Sequence, residues 1–261
     1  MISCSLSRTP GNLPPMIAVE DIIDFENHHV RSFAAPAERG YGVLYHNRDN
    51  PLSHDSNHAL ILKIDGDLDA AIADVCAFYR GLGVAPRIFH GFVPGATEDL
   101  LPKLLAKGFK REVFDEDYLV CTEASVIQPV AGIEVRRVRR LDDEIMAIFS
   151  KEPWSIGVIE LQLQREDYHL LVGYAAGLPV TMAALDIGAR VARVDDVMTH
   201  PAHRRKGYGR ALLHGVVTHH RQVTRKPLYL YSGVPSALRI YHEAGFRKLD
   251  WKPYKWSAWL E

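Results

Sequence analysis

Residues 191–218, VARVDDVMTHPAHRRKGYGRALLHGVVT, constrain the fold more than any other stretch of the 261. Arg193, Asp195 and Val197 alternate with Val194 and Asp196, as the two faces of a strand do. Pro201 ends that strand, because proline has no N–H to give a ladder. A basic turn follows, Arg204-Arg205-Lys206-Gly207-Tyr208-Gly209-Arg210, and then an apolar face at 209, 212, 213, 216 and 217, the spacing of a helix. Two glycines at a helix start leave backbone N–H groups uncovered, where the helix dipole favours negative charge. With Arg204, Arg205, Lys206 and Arg210 around it, this nest suits a diphosphate.

The turn has the form R-x-x-G-x-G. It lacks the Gly-Lys-Ser/Thr of a Walker loop, and the third glycine of a dinucleotide fingerprint would fall at Leu212. It resembles instead the acetyl-CoA signature of the GNAT superfamily of N-acetyltransferases. A second stretch carries the same resemblance. Leu228–Tyr231 reads as the next strand, and Ala237–Phe246, ALRIYHEAGF, is similar to the family's later helix with its tyrosine and terminal Gly-Phe. The resemblance covers about residues 132–255. It implies an α/β fold with a mixed, mostly antiparallel central sheet flanked by helices.

The first half echoes the second. Gly108-Phe109 stands 137 residues before Gly245-Phe246, and each pair follows a short strand and a helix. This predicts an internal repeat of two GNAT-like lobes, residues 1–125 and 126–261, with a linker over 122–129. The first lobe lacks the clamp. Its strand-to-helix turn, Ile64-Asp65-Gly66-Asp67, is acidic and would repel phosphate, and Leu104 stands where the second lobe has Tyr241. A polar loop at 46–58 carries His46, His54, Asp55 and His58, without the spacing or second ligand group of a metal site. Residues 1–16, with four Pro and Gly, read as an irregular terminus.

Hydrophobic residues make up 47% of the chain and charged ones 24%, the balance of a soluble globular protein. A net charge of −1 argues against bulk binding to nucleic acid, yet it conceals an asymmetry. Residues 1–131 carry 11 Lys/Arg against 18 Asp/Glu, and residues 132–261 carry 20 against 14. The basic half holds the anion nest, with no aromatic interleaving to mark a nucleic-acid face. Three dispersed cysteines fit reduced thiols in the cytoplasm. No apolar run is long enough to span a membrane, and the first residues have no signal-peptide core.

From the resemblance, acetyl-CoA is the expected co-substrate and a small-molecule or peptide amine the acceptor, attacked directly in a ternary complex. The backbone of Arg205 to Arg210 would hold the diphosphate, while Val197, Met198 and Thr199 would hold the pantetheine arm and polarise the acetyl carbonyl. Tyr241 takes the place of the family's general acid, the other reading being a core aromatic on its helix; Tyr208 competes for the role or packs beside the cofactor. The asparagine common in the family is Val234 here, with Ser232 close by. Asp195 is the candidate for accepting the amine's proton or binding an ammonium. Arg193, on the same strand face, is placed to neutralise it. The alternative function is a CoA-binding regulatory protein without turnover. The acceptor pocket is expected around residues 151–167.

Overall fold

The structure, a computed structural model, describes residues 17–63, 66–92, 99–149 and 153–261. The expected irregular terminus 1–16, Ile64 and Asp65 of the acidic turn, and Lys151, Glu152 and the Trp154 side chain lie outside the described residues.

Two sheets form the frame. The first takes β1 (Ala35–Arg39), β2 (Gly42–His46), β3 (His58–Ile61), β4 (Arg87–Phe89) and β5 (Lys110–Phe114), with β13 (Lys255–Trp259) between β4 and β5. The second is β7 (Ile133–Val138), β8 (Tyr168–Ala175), β9 (Leu178–Ile187), β10 (Ala192–Thr199), β11 (Leu228–Ser232), β6 (Asp117–Cys121) and β12 (Phe246–Lys248), in that order. The architecture is therefore α/β with two mostly antiparallel sheets, as expected. Each has one parallel contact inside it, β3 with β4 and β10 with β11. A helix makes each crossover: α2 (Leu68–Gly81) and α6 (Tyr208–Val223). A right-handed crossover is what a parallel pair needs.

The sheets do not divide at the boundary expected from the sequence, 125/126. β6, from the N-terminal half, lies between β11 and β12 and pairs antiparallel with both. β13, from the C-terminus, does the same between β4 and β5. Each half thus lends the other one strand. In the sequence, residues 112–121 read as one closing strand; the chain instead leaves the first sheet at Phe114 and enters the second at Asp117.

Local signals explain most elements. Asp67 caps α2 by accepting the Ala70 N–H at 3.0 Å, and Asp142 caps α4 (Asp143–Met146) by accepting that of Ile145 at 2.8 Å. α5 (Pro153–Gln162) starts on a proline, and α7 (Pro235–Glu243) does likewise. Ala176 and Gly177 both have positive φ, 51° and 83°, the turn a β8–β9 hairpin needs. Gly245 cannot be replaced: φ is 100°, and a Cβ there would sit 2.4 Å from Glu123 O. β1 carries Pro36 and is an edge strand, where a missing N–H is tolerated.

α2 and α3 (Leu100–Ala106) pack on the first sheet through Ile72, Val75, Leu104 and Phe109, joined by Trp256 and Ala258 of the exchanged strand. α6 and α7 pack on the second through Leu212, Leu213, Val216 and Tyr241, joined by Leu119 and Cys121. α1 (Val19–His28) and the 3-10 turn after it join the two: Ile22 and Phe25 pack with Tyr118, Val191 and Tyr229, while Val30 and Phe33 pack with Val43, Tyr45 and Leu60.

Because Trp256 is buried in the core of the opposite half, Trp256→Ala is expected to cost about 3–5 kcal/mol and to lower the stability of both sheets together. Urea unfolding followed by tryptophan fluorescence and by circular dichroism should give one coincident transition in the wild type and the variant. Two separate transitions would show that the exchanged strands do not couple the halves.

Candidate functional site

β10 and β11 pair only at Ala192–Leu228 and Arg193–Tyr229, and beyond that they part. On its other side β10 stays with β9, but the register shifts: Asp195 faces Ala184, whereas Met198 faces Met182. Three steps on β10 against two on β9 make a bulge. Asp196, inside it, has φ of 50°, a left-handed conformation that aspartate tolerates better than most residues. The end of the strand is tied down by Thr181 Oγ1, which donates to Met198 O at 2.6 Å and lies 2.9 Å from Thr199 Oγ1. Val197, Met198 and Thr199 therefore edge an opening between two strands, with no β11 partner.

The basic turn lies at the foot of that opening. Arg205 and Gly207 have positive φ, 63° and 83°, and Gly207 caps α6 in the left-handed region. Gly207 O receives the N–H groups of Arg210 and Ala211, while the helix's first N–H groups have no carbonyl ahead of them. Gly209 abuts Thr199: a Cβ there would lie 3.4 Å from its Oγ1. The four cations are not equivalent. Arg210 pairs with Glu243 at 2.6 Å, and Arg204 Nε donates to Thr199 O at 3.1 Å. Arg205 and Lys206 are exposed and have no ion-pair partner among the described residues. Tyr208 lies beside His203.

Tyr241 is buried on α7 against Phe246. Burial pushes its phenol pKa up, and the nearby Ser232 hydroxyl partly offsets that. Ser232, at the end of β11, also accepts the Val234 N–H at 3.2 Å. Tyr241 and Ser232 thus stand on the β11 side of the opening.

At the bulge the structure corrects the expected side-chain directions. Strict alternation puts Asp195 and Asp196 on opposite faces, but the extra residue brings both to one cavity of about 320 Å³, with Met198. The cavity lies between the sheets. Its walls come from α1 (Glu26), the 46–58 loop (Asp55 and His58), β4, α5 (Ser155, Val158, Ile159), β8 (Tyr168) and β13 (Lys255, Trp256). Ser155 to Gln162 fall within the expected acceptor region 151–167.

Asp195 is not a free carboxylate. Arg193, 3% exposed, donates to it and to both Glu26 oxygens, at 3.1 and 3.0 Å. Tyr229 Oη adds a 2.7 Å bond to Glu26, and Arg193 lies over the Phe25 and Tyr231 rings. Burial, the largest single cause, pushes Asp195 and Glu26 up. The Arg193 charge, together with His29, Lys255 and the hydrogen bonds each carboxylate accepts, outweighs it, and both end below the usual carboxylate range. Asp196 goes the other way, to about 8. Burial is the largest cause, the Asp195 charge is next and Asp55 adds to it; Arg193 and the Tyr168 hydroxyl pull back. That hydroxyl lies near Asp196 yet has no hydrogen-bond geometry to any protein group. Asp196 thus titrates near neutrality in this cavity. Spacing could not have shown it, because the bulge leaves no mark in the residue pattern.

Among the described residues no three His, Cys, Asp or Glu side chains are placed to hold a metal ion. His58 stacks on Phe89 at 4.2 Å and burial pushes its pKa down to about 3.

Glu26 and Asp195 contribute stability above their unfolded-state pKa, which they lose as pH falls through their lower folded values. Arg193→Leu leaves both uncompensated, and should cost about 3–5 kcal/mol near pH 7. Without Arg193 the two carboxyls take up protons at higher pH, so the deficit should shrink toward about pH 4.5. Urea midpoints at the two pH values measure it; a deficit unchanged by pH would place its source outside the ion pairs.

Residues 165–248 match the model of the acetyltransferase (GNAT) domain. No curated protein matches the chain. Among solved structures, a GCN5-related N-acetyltransferase from Kribbella flavida is 16% identical, with TM-score 0.63 over 94% of this chain and 96% of that one. A functionally unknown conserved protein from Staphylococcus epidermidis is 15% identical, with TM-score 0.63 over 90% and 96%. A GCN5-related N-acetyltransferase from Sphaerobacter thermophilus is 14% identical, with TM-score 0.54 over 95% and 86%. At such identities the likeness is one of fold, and it extends over both sheets.

Proposed function

We propose that this chain, an acyltransferase built on the GNAT fold with its acetyltransferase domain at residues 165–248, moves an acetyl group from acetyl-CoA to an amine held in the cavity between the sheets. The observation that carries this reading is the junction of three features. The opening between β10 and β11, the α6 N-terminus capped by Gly207, and a cavity lined by Asp196 all meet at Val197–Thr199. A thioester arm lying along the opening has its diphosphate at the turn and its acetyl group at the bulge.

The steps balance without a covalent enzyme intermediate. Backbone N–H groups of the α6 first turn hold the diphosphate, with Arg205 and Lys206 supplying the uncommitted charge. The β10 edge polarises the acetyl carbonyl. The amine nitrogen attacks the carbonyl carbon, the N–C bond forms and the C–S bond breaks. Asp196 takes the amine's proton, directly or through water, and Tyr241 gives a proton to the thiolate. Asp195 keeps the charge near the bulge negative; Arg193 holds it too firmly for it to be the base. This reassigns the proton acceptor by one residue from the sequence expectation. The two lobes are read as an internal repeat of which the second alone has a clamp.

Reversing both free charges, Arg205→Glu with Lys206→Glu, should weaken CoA binding by about tenfold or more, with thermal stability unchanged because neither side chain has a partner to lose. Calorimetric titration with CoA is the measure, and wild-type affinity in the double variant would remove the clamp from the reading.

With acetyl-CoA saturating and one amine throughout, kcat/KM for the amine should rise with pH through an apparent pKa near about 8, as Asp196 loses its proton. Asp196→Asn should remove that limb and lower turnover by about a hundredfold. A variant retaining both would return the role to water or to Asp195.

A further inference from the structure

The walls of the cavity carry more acid than the transfer step uses. Of the carboxylates lining it, Glu26 and Asp195 are paired with Arg193, Asp186 with Arg165, and Glu116 with Lys255 at 2.8 Å. Asp55 and Asp196 are left, and neither has an ion-pair partner among the described residues. They come from opposite sides, Asp55 from the loop between β2 and β3 and Asp196 from the bulge. The loop is a built scaffold. Asn57 accepts the Asn47 N–H and donates to the carbonyls of Asn50 and Ser53, each at 2.9 Å; Ser53 Oγ accepts the Ser56 N–H. Ser53, Ser56 and Asn57 are buried, so Asp55 is held at a fixed place. Asp55 is itself exposed to solvent where it lines the cavity; the protein packed around it and the Asp195 charge push its carboxyl up, with Lys255, Arg193 and Arg87 pulling back.

Between the two acids the wall is aromatic, with Phe33, Phe89 and Phe92. The cavity wall also carries polar atoms that are buried and have no hydrogen-bond partner among the described residues: the Tyr168 hydroxyl, on a residue 4% exposed, and Asp186 Oδ2, on one 1% exposed. Among the described residues an acceptor with a carboxylate of its own would find no unpaired Arg or Lys in the wall, since Arg193 and Lys255 are both committed, and burial pushes the lining histidines His29, His58 and His90 down. Asp196 is half-buried and Asp55 is exposed where it lines the cavity, so each is an unpaired acid beside an apolar wall, and each attracts a cation.

We propose that the acceptor is a small diamine, its reacting amine at Asp196, its second ammonium at Asp55 and its carbon chain along the aromatic wall. This rests on the acyl-transfer reading of the same site. The reacting ammonium passes one proton through Asp196 to water before it attacks and a second to Asp196 as the N–C bond forms, so the product is a neutral amide and has lost one of the two charges that held it. Turned end for end, it would put that amide at Asp55. One acetyl group per diamine follows.

The test compares diaminobutane, diaminopentane and diaminohexane, aminated at both ends, with n-alkylamines of equal length. Calorimetry with CoA in place of acetyl-CoA reads binding without turnover. At least one diamine should bind wild-type protein about tenfold or more tightly than its alkylamine, and the advantage should fall toward unity in Asp55→Asn and be partly retained in Asp55→Glu. Turnover with acetyl-CoA should then give the monoacetylated diamine as the accumulating product. Equal binding of diamine and alkylamine by the wild type overturns the proposal whether or not the variants fold. An advantage undiminished in folded Asp55→Asn overturns it too. Alkylamines acetylated as well as diamines would leave acetyl transfer standing and the diamine site refuted. Selective diamine binding with no acetylation of any amine would leave the site standing and refute the transfer.

Discussion

The Arg193 guanidinium is the charge on which the centre of this molecule depends. It is buried, and so is Glu26, so neither has water to fall back on. Such a pair is costly to bury and far more costly to break. It ties α1 to the central strand of the second sheet. α1 in turn leads into the 3-10 turn whose Val30 and Phe33 pack on the first sheet, so one ion pair lies on the path that joins the halves. The same guanidinium fixes the charge on Asp195 and thereby decides the state of its neighbour. With Asp195 held ionised, a second ionised carboxylate beside it in a water-poor cavity is unfavourable, and Asp196 keeps its proton to about pH 8. A pair of adjacent acids thus splits into a permanent anion and a titratable group. Neither residue type alone produces that division; the bulge produces it by turning both to one side.

Strand exchange gives the second constraint. A sheet completed by a strand from the other half cannot be completed alone: removing residues 1–125 would take β6 from between β11 and β12, and removing the last residues would take β13 from between β4 and β5. The acidic first half is for that reason no independent appendage. Lys255 and Trp256, which arrive with β13, stand in the cavity wall beside Glu116 and Phe114 of the N-terminal half. The exchange that closes the sheets also builds the cavity between them.

What the sequence displayed was local. R-x-x-G-x-G declares a helix start stripped of side chains, and Gly207 and Gly209 lie there as read. Asp67 before an apolar helix face, Ala176-Gly177 between two strands and Gly245-Phe246 after a helix are likewise legible, because each is a contact between residues a few positions apart. Asp117–Cys121 was legible as a strand but not as a strand of the second sheet, since period-two patterning records burial and not the partner. Asp196 was misdirected for a related reason. Alternation along β10 holds only while the ladder is regular, and the residue that breaks it looks like any other aspartate. Asp55 and its loop read as polar connection, for nothing within 46–58 names the bulge that it faces across the cavity.

This difference in range separates the two things the site has to do. The proposed cofactor clamp lies in one turn of consecutive residues and draws on backbone N–H groups that most side-chain changes leave untouched. The cavity proposed for the acceptor is assembled from α1, the 46–58 loop, α5, β8, β10 and β13, so a change in any of them reshapes it without reaching the turn. The loop is the freest of these, since its own hydrogen bonds run through Ser53, Ser56 and Asn57 and leave Asp55 without a structural duty. A fold organised this way keeps its thioester chemistry while its acceptor varies. A strongly marked cofactor turn beside a scarcely marked acceptor cavity is what that arrangement leaves in a single sequence.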